Sequence, residues 1–197
     1  MSDILANRSA KDRRKLDFYP TPPDVTHALM QFLNLPRSKI WECACGEGHM
    51  AKVIEEYGHK VIATDIRHTG YGIGGRDFLQ ENELLAPIII TNPPFQESEA
   101  FIRHAISLGA DIVAMLLKSQ YWHAAKRAKL FAEHPPAWVL ALTWRPDFLF
   151  GEKGGAPTME VLWTVWIKGE TDTRYRILHK PKNTKINYTY TGVMICL

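Results

Sequence analysis

The sequence predicts a doubly wound α/β fold, in which helices cover both faces of a mostly parallel β-sheet. Segments whose apolar residues recur at helical spacing alternate along the chain with short apolar runs of strand length. The run at residues 88–90 is continuously apolar, as in a parallel strand that is buried on both faces. The run at residues 160–168 alternates between apolar and polar residues instead, which favours an antiparallel strand.

The first predicted helix has both an apolar face and a start signal. Apolar residues recur every three to four positions across residues 25–33. In front of them, Thr21 is suited to be the N-cap, Pro22 the first helical residue and Asp24 an acidic residue of the first turn. We therefore expect a helix that begins at Pro22.

The same two patterns predict the remaining elements. Helical spacing marks three more helices, and apolar runs mark six strands. In chain order they are a strand at residues 39–41, a helix at 50–57 that Gly58 ends, strands at 60–64 and 88–90, a helix at 101–106, a strand at 111–117, a basic helix at 120–133, and strands at 138–144 and 160–168.

Length and composition indicate one soluble globular domain. A chain of 197 residues can bury a sizeable core, and no apolar run reaches the roughly 18–20 residues that span a bilayer. The N-terminus has no apolar signal region, so we expect a cytoplasmic location. The three cysteines, Cys43, Cys45 and Cys196, lack the spacing of a metal site, and no metal is expected.

Positive charge is concentrated at both ends of the chain. A basic N-terminal arm at residues 1–16 and a C-terminal extension at residues 170–197 flank the domain predicted at residues 17–169. The extension combines lysines and arginines with Tyr175, Tyr188 and Tyr190, a mixture typical of surfaces that bind nucleic acid. Solvated tails have the same composition, so this pattern alone leaves both interpretations open.

A glycine-containing loop joins the first strand to the second helix. Gly46 and Gly48 permit a tight turn and close approach of a ligand, and Asp65 ends the next strand, where a carboxylate can hold ribose hydroxyls. The spacing also fits a dinucleotide fingerprint, so a nicotinamide cofactor is an alternative. Glu42 and Glu47 flank the loop; carboxylates disfavour a pyrophosphate there but suit the ammonium and sulfonium groups of S-adenosylmethionine.

Further residues extend this candidate cofactor site. Asp77 offers a carboxylate for an adenine amine and Phe78 an aromatic ring against the base. Ile66, which follows Asp65, is also a candidate cofactor-binding residue. Phe18 and Tyr19, upstream of the first helix, are placed to close over the cofactor.

The segment Asn92-Pro93-Pro94-Phe95 follows the strand at residues 88–90, at the face where open α/β sheets bind ligands. The lone pair of an exocyclic amine on a nucleobase is delocalised into the ring, so two acceptors on its hydrogens are needed to make the nitrogen nucleophilic. The Asn92 oxygen and the Pro93 carbonyl are candidates, and Phe95 can stack on the base. A proline-stiffened turn is the alternative.

Taken in order, these motifs resemble those of adenine-N6 DNA methyltransferases with the γ order of motifs, especially small members carried by phages and prophages. The resemblance covers residues 17–168 and implies a Rossmann-like class I S-adenosylmethionine-dependent methyltransferase with a seven-stranded, mostly parallel sheet and one antiparallel strand. It implies roles as follows: Tyr19 and Thr21 at the methionine end of the cofactor, with Glu42, Cys43, Ala44, Gly46 and Gly48 around it; Asp65 at the ribose; Asp77 at the adenine; and Asn92, Pro93, Pro94 and Phe95 at the target base.

The chain departs from restriction-modification relatives because no large target-recognition domain follows the Asn-Pro-Pro segment. Loops at residues 70–76, 120–129 and 145–158, or a partner, would then read the sequence. Adenine N6 in DNA is the leading substrate, with RNA base amines, cytosine N4 and protein glutamine as alternatives. A nucleic-acid binder without catalysis is the competing class. An NAD-dependent oxidoreductase would need an acid–base dyad, and none stands out.

Overall fold

The computed structural model describes residues 19–148, 157 and 159–182. The arm predicted at residues 1–16, Phe18, much of the loop at residues 145–158 and the end of the C-terminal extension lie outside the described residues. The helices are α1 (Pro23–Leu33), α2 (His49–Glu56), α3 (Ser98–Ser107) and α4 (Ala128–Glu133). The strands are β1 (Lys39–Glu42), β2 (Lys60–Asp65), β3 (Ile73–Gly74), β4 (Ile88–Thr91), β5 (Ile112–Lys118), β6 (Trp138–Leu142), β7 (Val161–Ile167) and β8 (Arg174–Leu178).

These strands form one mixed sheet in the order β3-β2-β1-β4-β5-β7-β6-β8. All neighbours pair in parallel except β7, which is antiparallel to both β5 and β6. The predicted α/β class and the single antiparallel strand are confirmed. The predicted number of seven strands is wrong, because the sheet already has eight within the described residues. The strand at its outer edge, β8, exposes four of its five residues and has no apolar run by which the sequence could mark it.

The core lies on both faces of the sheet. In β4, Ile88 and Ile90 belong to the cluster that packs beneath α1 and α2, whereas Ile89 belongs to the cluster beneath α3. β5 alternates in the same way along its length. Because both faces are covered, β4 is buried at every position, as its continuous apolar run predicts.

Two predicted helices differ from the observed ones. α1 begins at Pro23 with Pro22 in the cap position, and no side chain caps it. Thr21 is therefore not the N-cap; its hydroxyl accepts a hydrogen bond from Asn92 instead. The basic helix predicted at residues 120–133 is a helix only over its last six residues, after short 3₁₀ turns at Ser119–His123 and Ala125–Arg127.

A buried indole joins α1 to the sheet and gives the first testable prediction. Trp163 in β7 is fully buried, and its Nε1 donates to the Val25 carbonyl at 3.1 Å. Trp163→Phe removes this bond and leaves a cavity, so we expect the free energy of unfolding to fall by about 1–3 kcal/mol in urea titrations. The control is Trp138→Phe, because the Trp138 indole N–H has no hydrogen-bond partner among the described residues. Equal losses in both variants would contradict this role.

Candidate functional site

The carboxyl ends of four neighbouring strands meet at one edge of the sheet. β1, β2, β4 and β5 are parallel, so the residues that end or follow them lie side by side. Residues at the ends of β1, β2 and β4 line a cavity of about 310 Å³, a size typical of small-molecule sites. Every predicted site residue lines this cavity except Gly46 and Gly48. It also includes His49, Arg67 and Glu97, which the sequence did not single out as site residues.

Glu42 ends β1 and is buried, with only 3% of its surface exposed. Burial raises its pKa well above the ordinary range, a backbone hydrogen bond from Ala51 opposes this, and nearby Asp65 adds to it. Its Oε2 has no hydrogen-bond partner among the described residues. An unpaired buried carboxyl oxygen at a cavity wall is suited to receive a cationic ligand group.

Asp65 ends β2 and connects three parts of the site. Its Oδ2 accepts from the Gly46 backbone N–H at 2.8 Å, and its Oδ1 accepts from the Arg67 backbone N–H at 2.8 Å. The Arg67 guanidinium also approaches Oδ1, at 3.2 Å from Nε. Ligand hydroxyls at Asp65 would therefore share the carboxylate with Arg67.

The two glycines shape the loop rather than the cavity wall. Both have positive φ, +52° at Gly46 and +79° at Gly48, a conformation that side chains disfavour. A Cβ at Gly48 would lie 2.4 Å from the Tyr71 ring, so this ring packs directly against the backbone. The Gly46 carbonyl accepts from the Thr69 hydroxyl. Both glycines therefore have a role in loop conformation, and their predicted cofactor contacts stay a prediction.

Cys43 and Cys45 occupy the same loop, and both are buried. Burial raises the pKa of the Cys43 thiol well above its usual range and that of Cys45 to about 12. Both thiols are therefore protonated near neutral pH, and a protonated thiol is a weak nucleophile. The arrangement suits chemistry that does not pass through a covalent enzyme intermediate.

The side chains predicted for the adenine ring lie along another wall. Asp77 uses Oδ1 to accept from the Leu79 backbone N–H at 3.0 Å, which caps the short helix Phe78–Gln80. Phe78 is almost fully buried, with its ring centroid 5.1 Å from that of Trp41. Ile66 lines the same cavity with 61% of its surface exposed, so it is available to cover a planar ligand.

The orientation of the Asn92 amide is fixed by its neighbours. Its Nδ2 donates to the Thr21 hydroxyl at 3.1 Å and to the Tyr19 carbonyl at 3.3 Å. Because a carbonyl can only accept, the amide nitrogen must face Tyr19 and the oxygen must face away. Asn92 Oδ1 is buried and has no partner among the described residues. The cavity thus contains a pre-oriented, unsatisfied acceptor.

Phe95 lies between two very different neighbours. The Tyr19 ring centroid is 5.8 Å away, and the Lys118 Nζ lies 4.3 Å from the centroid of the Phe95 ring. Lys118 is the last residue of β5, the neighbour of β4 in the sheet. Sequence reasoning missed Lys118, because only the strand order places the end of β5 beside this motif.

Two further observations concern residues 19–148 and 159–182. They contain no group of three or more His, Cys, Asp or Glu side chains arranged to hold a metal ion. None of their helices is both long and apolar enough to cross a membrane.

Comparison with known proteins finds similarity in structure only. No protein-family model matches the chain, and no curated protein matches it in sequence. The methyltransferase subunit of a type I restriction-modification system from Streptococcus thermophilus superposes with a TM-score of 0.64 at 14% identity, over 82% of this chain and 47% of that one. A protein from Pyrococcus horikoshii, provisionally assigned as an RNA methyltransferase, gives 0.61 at 16% identity, over 83% and 91%.

A third structure, a provisionally assigned class I S-adenosylmethionine-dependent methyltransferase from Listeria monocytogenes, gives a TM-score of 0.57 at 13% identity, over 87% of this chain and 68% of that one. The fold is therefore the Rossmann-like class I fold of S-adenosylmethionine-dependent methyltransferases. The chain spans about half the length of the Streptococcus thermophilus subunit. At these identities the likeness concerns the fold alone.

Burial of Glu42 gives a prediction about pH and stability. Because the folded-state pKa is raised, the folded protein holds this proton more tightly than the unfolded chain does. Ionisation of Glu42 therefore begins to lower stability as pH rises above the ordinary value of 4.5, and this loss ends above the folded-state pKa. Glu42→Gln, which cannot ionise, should become progressively more stable than the wild type across this window, as measured by urea unfolding at several pH values.

The control for this experiment is Glu47→Gln in the same loop. Glu47 is exposed, so its substitution removes a solvated carboxylate and should change stability much less. A Glu42→Gln variant whose advantage over the wild type is the same at pH 4.5 and at pH 8 would show that ionisation of this buried group does not govern the difference.

Proposed function

We propose that this protein is an S-adenosylmethionine-dependent methyltransferase that acts on the exocyclic amine of a flipped nucleobase, with adenine N6 in DNA as its leading substrate. The observation that carries the proposal is the Asn92 amide, whose nitrogen is held by Thr21 and Tyr19 while its buried oxygen lacks a partner. A free acceptor in this position is what an amine donor requires.

The cavity fits the cofactor in its donor set as well as its size. The unpaired oxygen of Glu42 suits the ammonium group of the methionine end, and Asp65 is a carboxylate for the ribose hydroxyls. Ile66 and Phe78 offer apolar surface for the adenine ring, next to Asp77. When bound there, S-adenosylmethionine supplies an electrophilic methyl group on its sulfonium.

The residues of this chain make the target amine reactive. Asn92 Oδ1 and the Pro93 carbonyl accept from its two hydrogens, which draws the nitrogen lone pair out of conjugation with the ring and stabilises developing positive charge. Phe95 holds the base by stacking. Because the amide is already oriented, no reorganisation is needed when the amine arrives. The protonated thiols of Cys43 and Cys45 take no part in this step.

A nucleobase can reach this cavity only outside a helical stack, so duplex substrate must be flipped at a cost of a few kcal/mol. RNA is the second candidate, and one observation favours it. The chain covers 91% of the protein from Pyrococcus horikoshii assigned as an RNA methyltransferase but 47% of the DNA restriction-modification subunit. The chemistry at Asn92 would be the same in both cases.

Methyl transfer from labelled S-adenosylmethionine tests the proposal directly. Unmethylated duplex DNA and total RNA are offered in parallel, and the product nucleosides are separated by mass spectrometry. We expect label in N6-methyladenine from DNA. Asn92→Ala removes the oriented acceptor and should lower the rate by about 100-fold or more, with cofactor affinity by calorimetry nearly unchanged.

The outcomes separate the parts of the proposal. Label only in RNA would retain the chemistry and replace the substrate. Equal loss of transfer and of cofactor affinity in a folded Asn92→Ala variant would refute the role of Asn92. No label in either nucleic acid, despite measurable binding of S-adenosylmethionine, would contradict the proposed function.

The hydrogen bond between Thr21 and Asn92 gives a further prediction. Thr21→Val keeps the shape of the side chain but removes the hydroxyl acceptor, which leaves the longer bond to the Tyr19 carbonyl alone to orient the Asn92 amide. We expect kcat to fall by about ten- to a hundredfold, with a smaller change in the Kd of S-adenosylmethionine. Thr21→Ser retains the hydroxyl and should restore most of the rate. Loss of cofactor affinity equal to the loss of kcat would instead assign Thr21 to cofactor binding alone.

A further inference from the structure

A second, smaller cavity lies against the other side of the Asn-Pro-Pro-Phe segment. It has a volume of about 110 Å³, several times the roughly 30 Å³ that a water molecule occupies in the liquid. Its lining residues are Phe95, Ser98, Lys118, Gln120, Tyr121 and Arg127. None of these is acidic and two are cationic. Phe95 lines both cavities, so the two sites share one wall.

Both cations lack an acidic partner within the described part of the chain. Lys118 is half-buried, and its ammonium lies over the Phe95 ring, 4.3 Å from the ring centroid. Glu97 and Glu99, which follow the Asn-Pro-Pro-Phe segment, do not line this cavity. A half-buried ammonium without a counter-ion is an unfavourable arrangement that an anion would relieve.

The Arg127 guanidinium is held in place before any ligand binds. Its Nη1 donates to the Tyr121 carbonyl at 2.7 Å, and its Cζ lies 3.8 Å from the centroid of the Tyr121 ring. A guanidinium has five N–H donors in a fixed plane, so this bond leaves others available. Stacked and anchored in this way, Arg127 loses little side-chain freedom on binding an anion.

We infer that this cavity binds a backbone phosphate of the nucleic acid whose base enters the larger cavity, a conclusion that rests on the proposed function. In a nucleotide, one sugar separates the base from its phosphate. A base stacked on Phe95 therefore brings a phosphate close to that ring, where Lys118 and Arg127 supply two positive charges. Such contacts fix the register of a strand without reading its sequence.

Lys118 would also change partners during binding. In the structure its ammonium covers one face of Phe95, the ring proposed to stack on the base. A cation over an aromatic ring at a partly exposed site is a weak contact, whereas a charge-assisted bond to phosphate is stronger. Phosphate binding would therefore draw Lys118 off the ring and toward the nucleic acid backbone.

The test measures binding of a single-stranded oligodeoxyadenylate at several salt concentrations, with S-adenosylmethionine present. Every adenine in this probe is unpaired, so no recognition sequence is needed. Lys118→Met keeps the length of the side chain and removes the charge. We expect severalfold weaker binding and a salt dependence, the slope of log K against log salt concentration, that is smaller by about 0.7. Arg127→Gln should act in the same direction.

Lys126→Met is the matched comparison, because Lys126 is an exposed lysine of the same segment that lies outside the cavity. It should retain most of the affinity and slope of the wild type. Equal effects of Lys118→Met and Lys126→Met would overturn the inference in favour of a diffuse basic surface. Inorganic phosphate that competes with the oligonucleotide in the wild type but not in Lys118→Met would support it.

Failure of the phosphate-site inference can be distinguished from failure of the proposed function. If the wild type methylates nucleic acid and Lys118→Met leaves both the KM and the salt slope unchanged, the phosphate site is wrong and the methyltransferase stands. If the wild type neither methylates nucleic acid nor binds the oligonucleotide, the phosphate site and the proposed function are both refuted.

Discussion

The site depends on the parallel pairing of β1 with β2 and β4, and of β4 with β5. Parallel strands end at the same edge, so this pairing brings Glu42, Asp65 and Asn92 to one cavity and Lys118 to the adjoining Phe95 ring. A one-residue slip of any strand would turn its side chains to the other face of the sheet.

The buried oxygen atoms at this edge that have no hydrogen-bond partner among the described residues include Glu42 Oε2 and Asn92 Oδ1. Each such group lowers the stability of the empty protein. Their surroundings show why they persist: Asn92 is held by Thr21 and Tyr19, and Glu42 lies in a wall that also holds Asp65. The fold thus leaves hydrogen-bond acceptors unpaired at this edge, as binding sites commonly do.

Sequence reasoning correctly placed those residues whose position in the fold follows from the neighbouring sequence. Asn92 and Glu42 follow or end apolar strands, and that position alone places them at the ligand edge. It wrongly predicted that Thr21 is an N-cap, because a threonine hydroxyl can either cap a helix or accept the hydrogen bond from Asn92 that the structure shows. It missed Lys118, whose importance depends on the order of the strands, and β8, whose exposed residues carry no periodic apolar signal. Long-range pairing is not encoded in local spacing.

A cationic ligand that binds against the buried carboxyl group of Glu42 would exchange with the proton on that group. Its raised pKa means that the empty site holds a proton at a pH where an exposed glutamate would not. A cation bound against this group favours the ionised form, so binding expels the proton into solution. The affinity of such a ligand then rises with pH until Glu42 is ionised in the empty protein as well, and the heat of binding includes the ionisation of the buffer that takes up the proton.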